Sequence, residues 1–250
     1  MKNDNNINQY RRQFLSSVTG VAAGLTIAPG VLLNTVAHAK QADQPVSSKN
    51  RWGLLIDTSK CATGCNACVT ACHKENGVSS TGRPATDAVW IRKVKLTDKV
   101  TGHVQSLPFM CQHCEKTPCV DVCPTNASMK RDDGVVLVDK HACIGCRYCM
   151  MACPYNARSF VHEPVTDQIY PRGQGTVESC TMCVHRIDDP EGPRNTACVD
   201  ACNAEGHKAM WFGDLKDPST EISQRLKQYG GEQIRADLGL NTGVRYQNLS

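Results

Sequence analysis

The chain has 250 residues, a formal charge of +4 and sixteen cysteines, with aromatics at only 5%. That length leaves room for one large or two small domains. So few aromatics exclude a conventional aromatic-rich core, and no basic patch with interleaved aromatics points to nucleic acid.

The N-terminus reads as a targeting segment. Arg11-Arg12-Gln13-Phe14-Leu15 is a twin-arginine sequence. Residues 16–36 are mildly apolar and interrupted by Gly20, Gly24, Pro29 and Gly30, which argues against an uncleaved anchor. Ala37-His38-Ala39 is a small-x-small cleavage site. Residues 1–39 are therefore expected to be a signal peptide, with export of the folded chain to the periplasm and a mature start near Lys40. Residues 40–51 read as a polar linker.

Residues 52–57 form an apolar run suited to a strand that leads into the first cysteine loop. A short helix is expected at 69–75, and residues 77–86 read as a loop rich in Gly, Ser and Thr. Residues 89–96 alternate as a strand does. Asp132-Asp133-Gly134, between 127–130 and 135–138, reads as a hairpin turn. A second short helix is expected at 148–153. Residues 188–195, with two prolines and a glycine, make a long spacer. Residues 219–229 are amphipathic, with Ile222, Leu226 and Tyr229 on one face, Asp217-Pro218 before them and Gly230-Gly231 after. Residues 235–250 are polar and are expected to lie on a surface. No stretch after the leader is long and apolar enough to span a bilayer.

The cysteines stand in four groups of four. Cys143, Cys146, Cys149 and Cys153, followed by Pro154, have the spacing C-x2-C-x2-C-x3-C-P of bacterial [4Fe–4S] ferredoxins. Cys111, Cys114, Cys119 and Cys123, followed by Pro124, differ by a wider middle gap. The first group is Cys61, Cys65, Cys68 and Cys72; the last is Cys180, Cys183, Cys198 and Cys202. A cubane cluster needs four converging thiolates. One tight loop supplies three, and in two-cluster ferredoxins the fourth cysteine of each run ligates the other cluster. That reciprocity assigns Cys143, Cys146 and Cys149 to Cys123, and Cys111, Cys114 and Cys119 to Cys153. By the same logic Cys61, Cys65 and Cys68 take Cys202, while Cys180, Cys183 and Cys198 take Cys72. The first run is irregular, with three residues between Cys61 and Cys65; Gly64 is expected to absorb the extra residue through a positive φ.

Other uses of cysteine fit poorly. Cysteines two residues apart rarely pair in disulfides. Zinc favours two C-x2-C pairs on a longer loop rather than triplets with a distant fourth. The C-x2-C-H string of covalent haem does not occur. Four loaded clusters change the charge: sixteen thiolates and four doubly positive cores bring +4 to about −4. Loss of Lys2, Asp4, Arg11 and Arg12 with the leader brings it to about −6. With few aromatics the clusters themselves are expected to act as core, so the chain without iron should be poorly folded.

The runs repeat, so the fold class expected is α+β: duplicated, nested ferredoxin-like units with cluster-binding loops and few long helices. Pairing first with last and second with third makes an outer unit of about 52–88 with 175–218 and an inner unit of about 89–174. A C-terminal helix and tail, 219–250, follow.

Four such runs in this order resemble the four-cluster ferredoxin-like electron-transfer subunits of membrane-bound oxidoreductases, such as the dimethyl sulfoxide, polysulfide and tetrathionate reductase families. The resemblance covers about 52–218, including Gly213-Asp214-Leu215-Lys216-Asp217-Pro218. Within that group the chain is similar to the DsrO-type periplasmic subunits of sulfite-reduction-associated DsrMKJOP complexes. This rests on Cys61-Ala-Thr-Gly-Cys65, Thr81-Gly82-Arg83-Pro84, the stretch Ser106 to Cys114, the third run, and Gly243-Val244-Arg245-Tyr246-Gln247. The resemblance implies electron transfer between the quinone pool and a complex of dissimilatory sulfur metabolism. It also implies two partners, a polytopic quinone-interacting membrane subunit and a multihaem cytochrome c. The competing reading is the β-subunit of a molybdopterin reductase of the tetrathionate or polysulfide type.

An enzyme with its own active site finds no support. All sixteen cysteines are used as ligands, and no dinucleotide fingerprint, P-loop or nucleophile motif is present. His113 lies inside a cluster loop, a candidate to donate to a sulfur or to substitute as a ligand, although a plain loop role is commoner. Arg147, Lys74 and Lys116 are candidates for raising a cluster potential by charge. Tyr148 and Tyr155 are expected to pack against the third-run cluster.

Overall fold

The computed structural model describes residues 46–165 and 173–249. The twin-arginine sequence, the cleavage site and most of the linker lie outside the described residues. The strand β1 (Trp52–Asp57) is buried along nearly its whole length. It is the centre of a three-stranded sheet, antiparallel to β8 (Met210–Asp214) and parallel to β9 (Val244–Gln247). The register runs from Trp52 opposite Asp214 to Ile56 opposite Met210, and from Leu54 opposite Val244 to Asp57 opposite Gln247. A strand flanked on both sides reads as a continuous apolar run, which is why Gly53-Leu54-Leu55-Ile56 lacks alternation. Gly53 carries no side chain because a Cβ there would meet the Gly243 carbonyl and the Leu215 side chain.

The middle of the chain folds on itself. β2 (Ile91–Thr97) and β3 (Val104–Met110) pair antiparallel over seven residues. Pro108 is tolerated because β3 belongs to a two-stranded sheet and needs no donor on its far side. β4 (Ser128–Lys130) and β5 (Val136–Val138) form the expected hairpin around Asp132-Asp133-Gly134, with Gly134 at φ 87°. β6 (Ser159–Phe160) pairs with β7 (Val177–Glu178).

Short helices follow the cysteine loops. They are α1 (Ala67–Glu75), α2 (Pro118–Asp121), α3 (Tyr148–Met151), α4 (Val184–Asp188) and α5 (Ala197–Ala204). α1 packs against α5, and α2 against α3. The first and last cysteine regions thus pack together, as do the two middle ones, in the mixed α and β architecture expected. Among the described residues no helix is long and apolar enough to cross a membrane.

Three expectations are corrected. Residues 235–250 are not a surface tail. β9 is a full member of the central sheet, and Val244 and Tyr246 are completely buried. The stretch looked polar because much of what secures it is backbone: parallel pairing with β1 and two bonds from Gly243 N–H to the carbonyls of Gln112 and His113, beside the two buried side chains. In α6 (Glu221–Tyr229) Ile222 is buried, but Tyr229 is 61% exposed. The helix begins at Glu221, two residues after Ser219, and the hydroxyl of its N-cap Thr220 accepts the Ser223 N–H. The irregular first run does not use Gly64 in a left-handed conformation. Its extra residue is taken up by a turn closed by Cys65 N–H on the Ala62 carbonyl, 3.2 Å.

Candidate metal centres

Two helices carry two cysteines four residues apart: Cys68 and Cys72 on α1, Cys198 and Cys202 on α5. Cys119 and Cys123 are likewise in and just past α2, and Cys149 and Cys153 in and just past α3. Side chains at i and i+4 share a helix face, about 6 Å apart along the axis. A helix can therefore hand one thiol to one site and the next to its neighbour.

The structure sets cysteines of different runs side by side. Cys61, Cys65, Cys68 and Cys202 line one cavity, walled by Pro108, Ala209 and Met210. Cys143, Cys146 and Cys149 line another with Cys123, walled by Ile144, Ala127 and Val177. Burial pushes the Cys114 thiol up to about 12, and the nearby thiols of Cys111, Cys119 and Cys153 push in the same direction. Burial likewise raises Cys72, reinforced by Cys180, Cys198 and Cys183. All sixteen cysteines are free, none in a disulfide. Cys146 alone among them is exposed, with Ile144, Tyr148 and Met151 exposed around it.

The electrostatics are those of sites built for thiolates held by metal. Burial drives Cys68 up to about 11, and Cys111 and Cys198 up to about 12. Buried thiols of this kind ionise only when a cation takes the proton's place. Donors already point at the sulfurs. Backbone N–H groups of Ser128, Val177, Met182 and Ala209 donate to Cys123, Cys143, Cys180 and Cys202 at 3.3–3.4 Å. At Cys123 burial raises the thiol, but the bonds from Ser128, Thr125 and Ala127 outweigh it and the net shift is downward. Asn76 Nδ2 lies 3.7 Å from Cys72 Sγ.

Other donors are buried without a protein acceptor among the described residues: Arg158 Nε and Nη1, and His113 Nε2. They stand beside the middle cysteines, where sulfur acceptors fit. Among the described residues no three His, Cys, Asp or Glu side chains are grouped to hold a single metal ion. Four thiols around a walled cavity, with backbone N–H groups donating to sulfur and spare buried N–H donors nearby, fit [4Fe–4S] clusters.

Residues 102–215 match the 4Fe-4S dicluster domain family. The chain is 40% identical to Hdr-like menaquinol oxidoreductase iron-sulfur subunit 1 of Archaeoglobus fulgidus, over 96% of this chain and 98% of that one. The chain belongs to the iron–sulfur electron-transfer subunits of oxidoreductase complexes. It is also 35% identical to a tetrathionate reductase subunit of Salmonella typhimurium, over 98% of this chain and 90% of that one. To a sulfite dehydrogenase subunit of Allochromatium vinosum it is 38% identical, over 77% of this chain and 81% of that one. Its cofactors are [4Fe–4S] clusters.

Several side chains next to the cysteines of this iron–sulfur protein were not visible as such in the sequence. Lys93 Nζ donates to Cys61 Sγ at 2.8 Å and to the Ala62 carbonyl at 3.1 Å. Lys93 sits in an alternating strand, where it reads as an ordinary solvent-facing lysine. Arg158 Nη2 donates to Cys119 Sγ at 3.2 Å. The charges singled out from sequence do less: Lys74 and Lys116 are exposed, and the Arg147 guanidinium lies 3.8 Å over the Phe160 ring. Tyr148 is 53% exposed rather than packed. Tyr155 is buried, but beside Cys114 and Cys153, with its hydroxyl donating to the Ile234 carbonyl.

His113 is more than a loop residue. It takes φ 44°, is buried, and its Nδ1 accepts the Val136 N–H at 3.0 Å. Burial, then the charge of Arg158, push its pKa down to about 3. It is therefore neutral, and Nε2 carries its proton.

Proposed function

We propose that this protein is an electron wire of four [4Fe–4S] clusters on the periplasmic side of a quinone-linked membrane complex of dissimilatory sulfur metabolism. Its sixteen cysteines are the ligands in the four sets given above. The observation that supports this reading is that cysteines of different runs meet through shared helices, two quartets each lining one cavity. Each cluster, when bound, accepts and releases one electron. The chain's own part is to hold the cores close together, to shield them with apolar walls and to set their potentials by N–H donors and charge. The outer and inner units, about 52–88 with 175–218 and about 89–174, are the two halves of the wire.

The wire has no substrate site of its own, and its ends serve other subunits. The exposed rim of Ile144, Tyr148 and Met151 around Cys146 supports one such contact. A polytopic quinone-interacting subunit and a multihaem cytochrome c are the partners. Identity to a menaquinol oxidoreductase subunit over nearly the whole chain supports the quinone link. The protein is exported folded by the twin-arginine route, cleaved after Ala39, and lies peripheral to the inner membrane.

A second reading, the β-subunit of a molybdopterin reductase, is supported by the 35% identity to the tetrathionate reductase protein. Isolation from detergent-solubilised membranes separates the two. Haem c and a polytopic subunit without molybdenum are expected. A copurifying molybdopterin subunit would overturn the first reading in favour of the second. An Arg11→Lys, Arg12→Lys double variant should strand the protein in the cytoplasm; normal export would refute the route.

A further inference from the structure

Arg158 is 5% exposed, deep in the half of the molecule built from the two middle cysteine runs. Its Nη2 donates to Cys119 Sγ at 3.2 Å, and the guanidinium lies near enough to Cys149 to favour that cysteine's thiolate. Cys119 belongs to the set with Cys111, Cys114 and Cys153. Cys149 belongs to the set with Cys123, Cys143 and Cys146. One guanidinium thus bonds a cysteine of one site and exerts its charge on a cysteine of the neighbouring one.

The sulfurs that would act on it most once ionised are those of Cys119, Cys111 and Cys149. A buried cation needs both opposite charge and hydrogen bonds to persist. The remaining Nε–H and Nη1 donors have no acceptor among the described residues. A guanidinium presents five N–H donors in a rigid planar fork and does not deprotonate in proteins. That shape suits a position between two sulfur-rich clusters.

We propose that Arg158 is a shared clamp on the two inner clusters, bonded to a ligand of one, close to a ligand of the other, and raising both reduction potentials together. Each cluster gains one electron on reduction, and its negative charge grows by one. A fixed positive charge this close favours the reduced form of both. Arg158 keeps its proton throughout, so no proton transfer accompanies its effect. Because one group acts on both, the two potentials move in the same direction, which keeps electrons passing between them.

This inference rests on the ligand assignment above. The test is an anaerobic EPR redox titration of the holo-protein, with the two signals identified by their loss in Cys119→Ala and Cys149→Ala. In Arg158→Gln both couples should fall at least tenfold in reduction equilibrium constant, or about 59 mV each for one electron. In Arg158→Lys, whose compact ammonium reaches a single sulfur, one couple should be held and the other should fall. A loaded Gln variant in which only one couple moves, or neither does, overturns the clamp. If the Gln variant does not load both clusters, wild-type protein carrying [15N]guanidino-arginine decides the matter. Pulsed EPR should then detect a 15N coupling at both inner clusters, and a coupling at one alone overturns the proposal. If Cys119→Ala and Cys149→Ala instead abolish one and the same signal, the ligand assignment fails and not the clamp alone.

Discussion

Tyr246 offers the sharpest test of how the C-terminal strand supports the clusters. It is completely buried, its hydroxyl donates to the Pro108 carbonyl at 3.2 Å, and Gln112 Nε2 donates to it at 3.3 Å. Pro108 and Gln112 flank Cys111, so the ring braces the entry to the second cysteine loop. Tyr246→Ala removes a full aromatic ring from a packed site, at a cost of roughly 3–5 kcal/mol. Tyr246→Phe keeps the ring and loses only the hydroxyl bonds, about 1 kcal/mol. For a protein of this size each kcal/mol lowers the melting midpoint by about 2–4 °C. The Ala variant should therefore melt roughly 6–20 °C below the parent, and the Phe variant about 2–4 °C below. Anaerobic thermal melts of the loaded protein, followed at the cluster absorption band, would measure both. Iron per chain should fall in the Ala variant and hold in the Phe variant. An Ala variant that melts within about 2 °C of the parent, or a Phe variant that costs as much as Ala, would refute the bracing argument.

Cys123→Ala should abolish the EPR signal of the cluster held by Cys143, Cys146 and Cys149, and spare the one held by Cys111; the opposite loss would reverse the pairing. Lys93→Met removes the ammonium 2.8 Å from Cys61 Sγ, so the potential of that cluster should drop by roughly 59 mV or more in a redox titration, a tenfold effect, while the inner clusters stay put. Gly145→Ala puts a Cβ against the Gly175 carbonyl at a residue with φ 69°, so iron content should fall in the site of Cys143 and Cys146 first. Chelating the iron should collapse the far-UV circular dichroism, because Cys68, Cys72, Cys111, Cys180, Cys198 and Cys202 stand inside the main apolar core; a native-like spectrum without iron would show that the protein core suffices.

Much of the site was legible from the sequence because cluster ligation is a local demand. Three thiolates from one tight loop impose C-x2-C spacing, and a reciprocal fourth imposes order along the chain. The strands at 52–57 and 128–138 were legible for a similar reason: a central apolar run and an Asp-Asp-Gly turn are patterns of neighbouring residues. Which charged groups reach the sulfurs was not legible. Lys93 lies thirty-two positions from Cys61 and Arg158 thirty-nine from Cys119, and no local pattern marks either.

The same distinction separates the two ends of the fold. By itself the sequence determined the number and spacing of the cysteines and the cofactor class. It could not decide the place of residues 244–247, whose strand is held by backbone pairing with β1 and by a tyrosine buried against a loop 134 positions away. Backbone hydrogen bonds are indifferent to side-chain polarity, so a polar segment can sit in the central sheet without announcing it. Nor could it decide that one arginine lies between two cysteine sets. Both are matters of long-range contact, and only the tertiary structure brings those residues together.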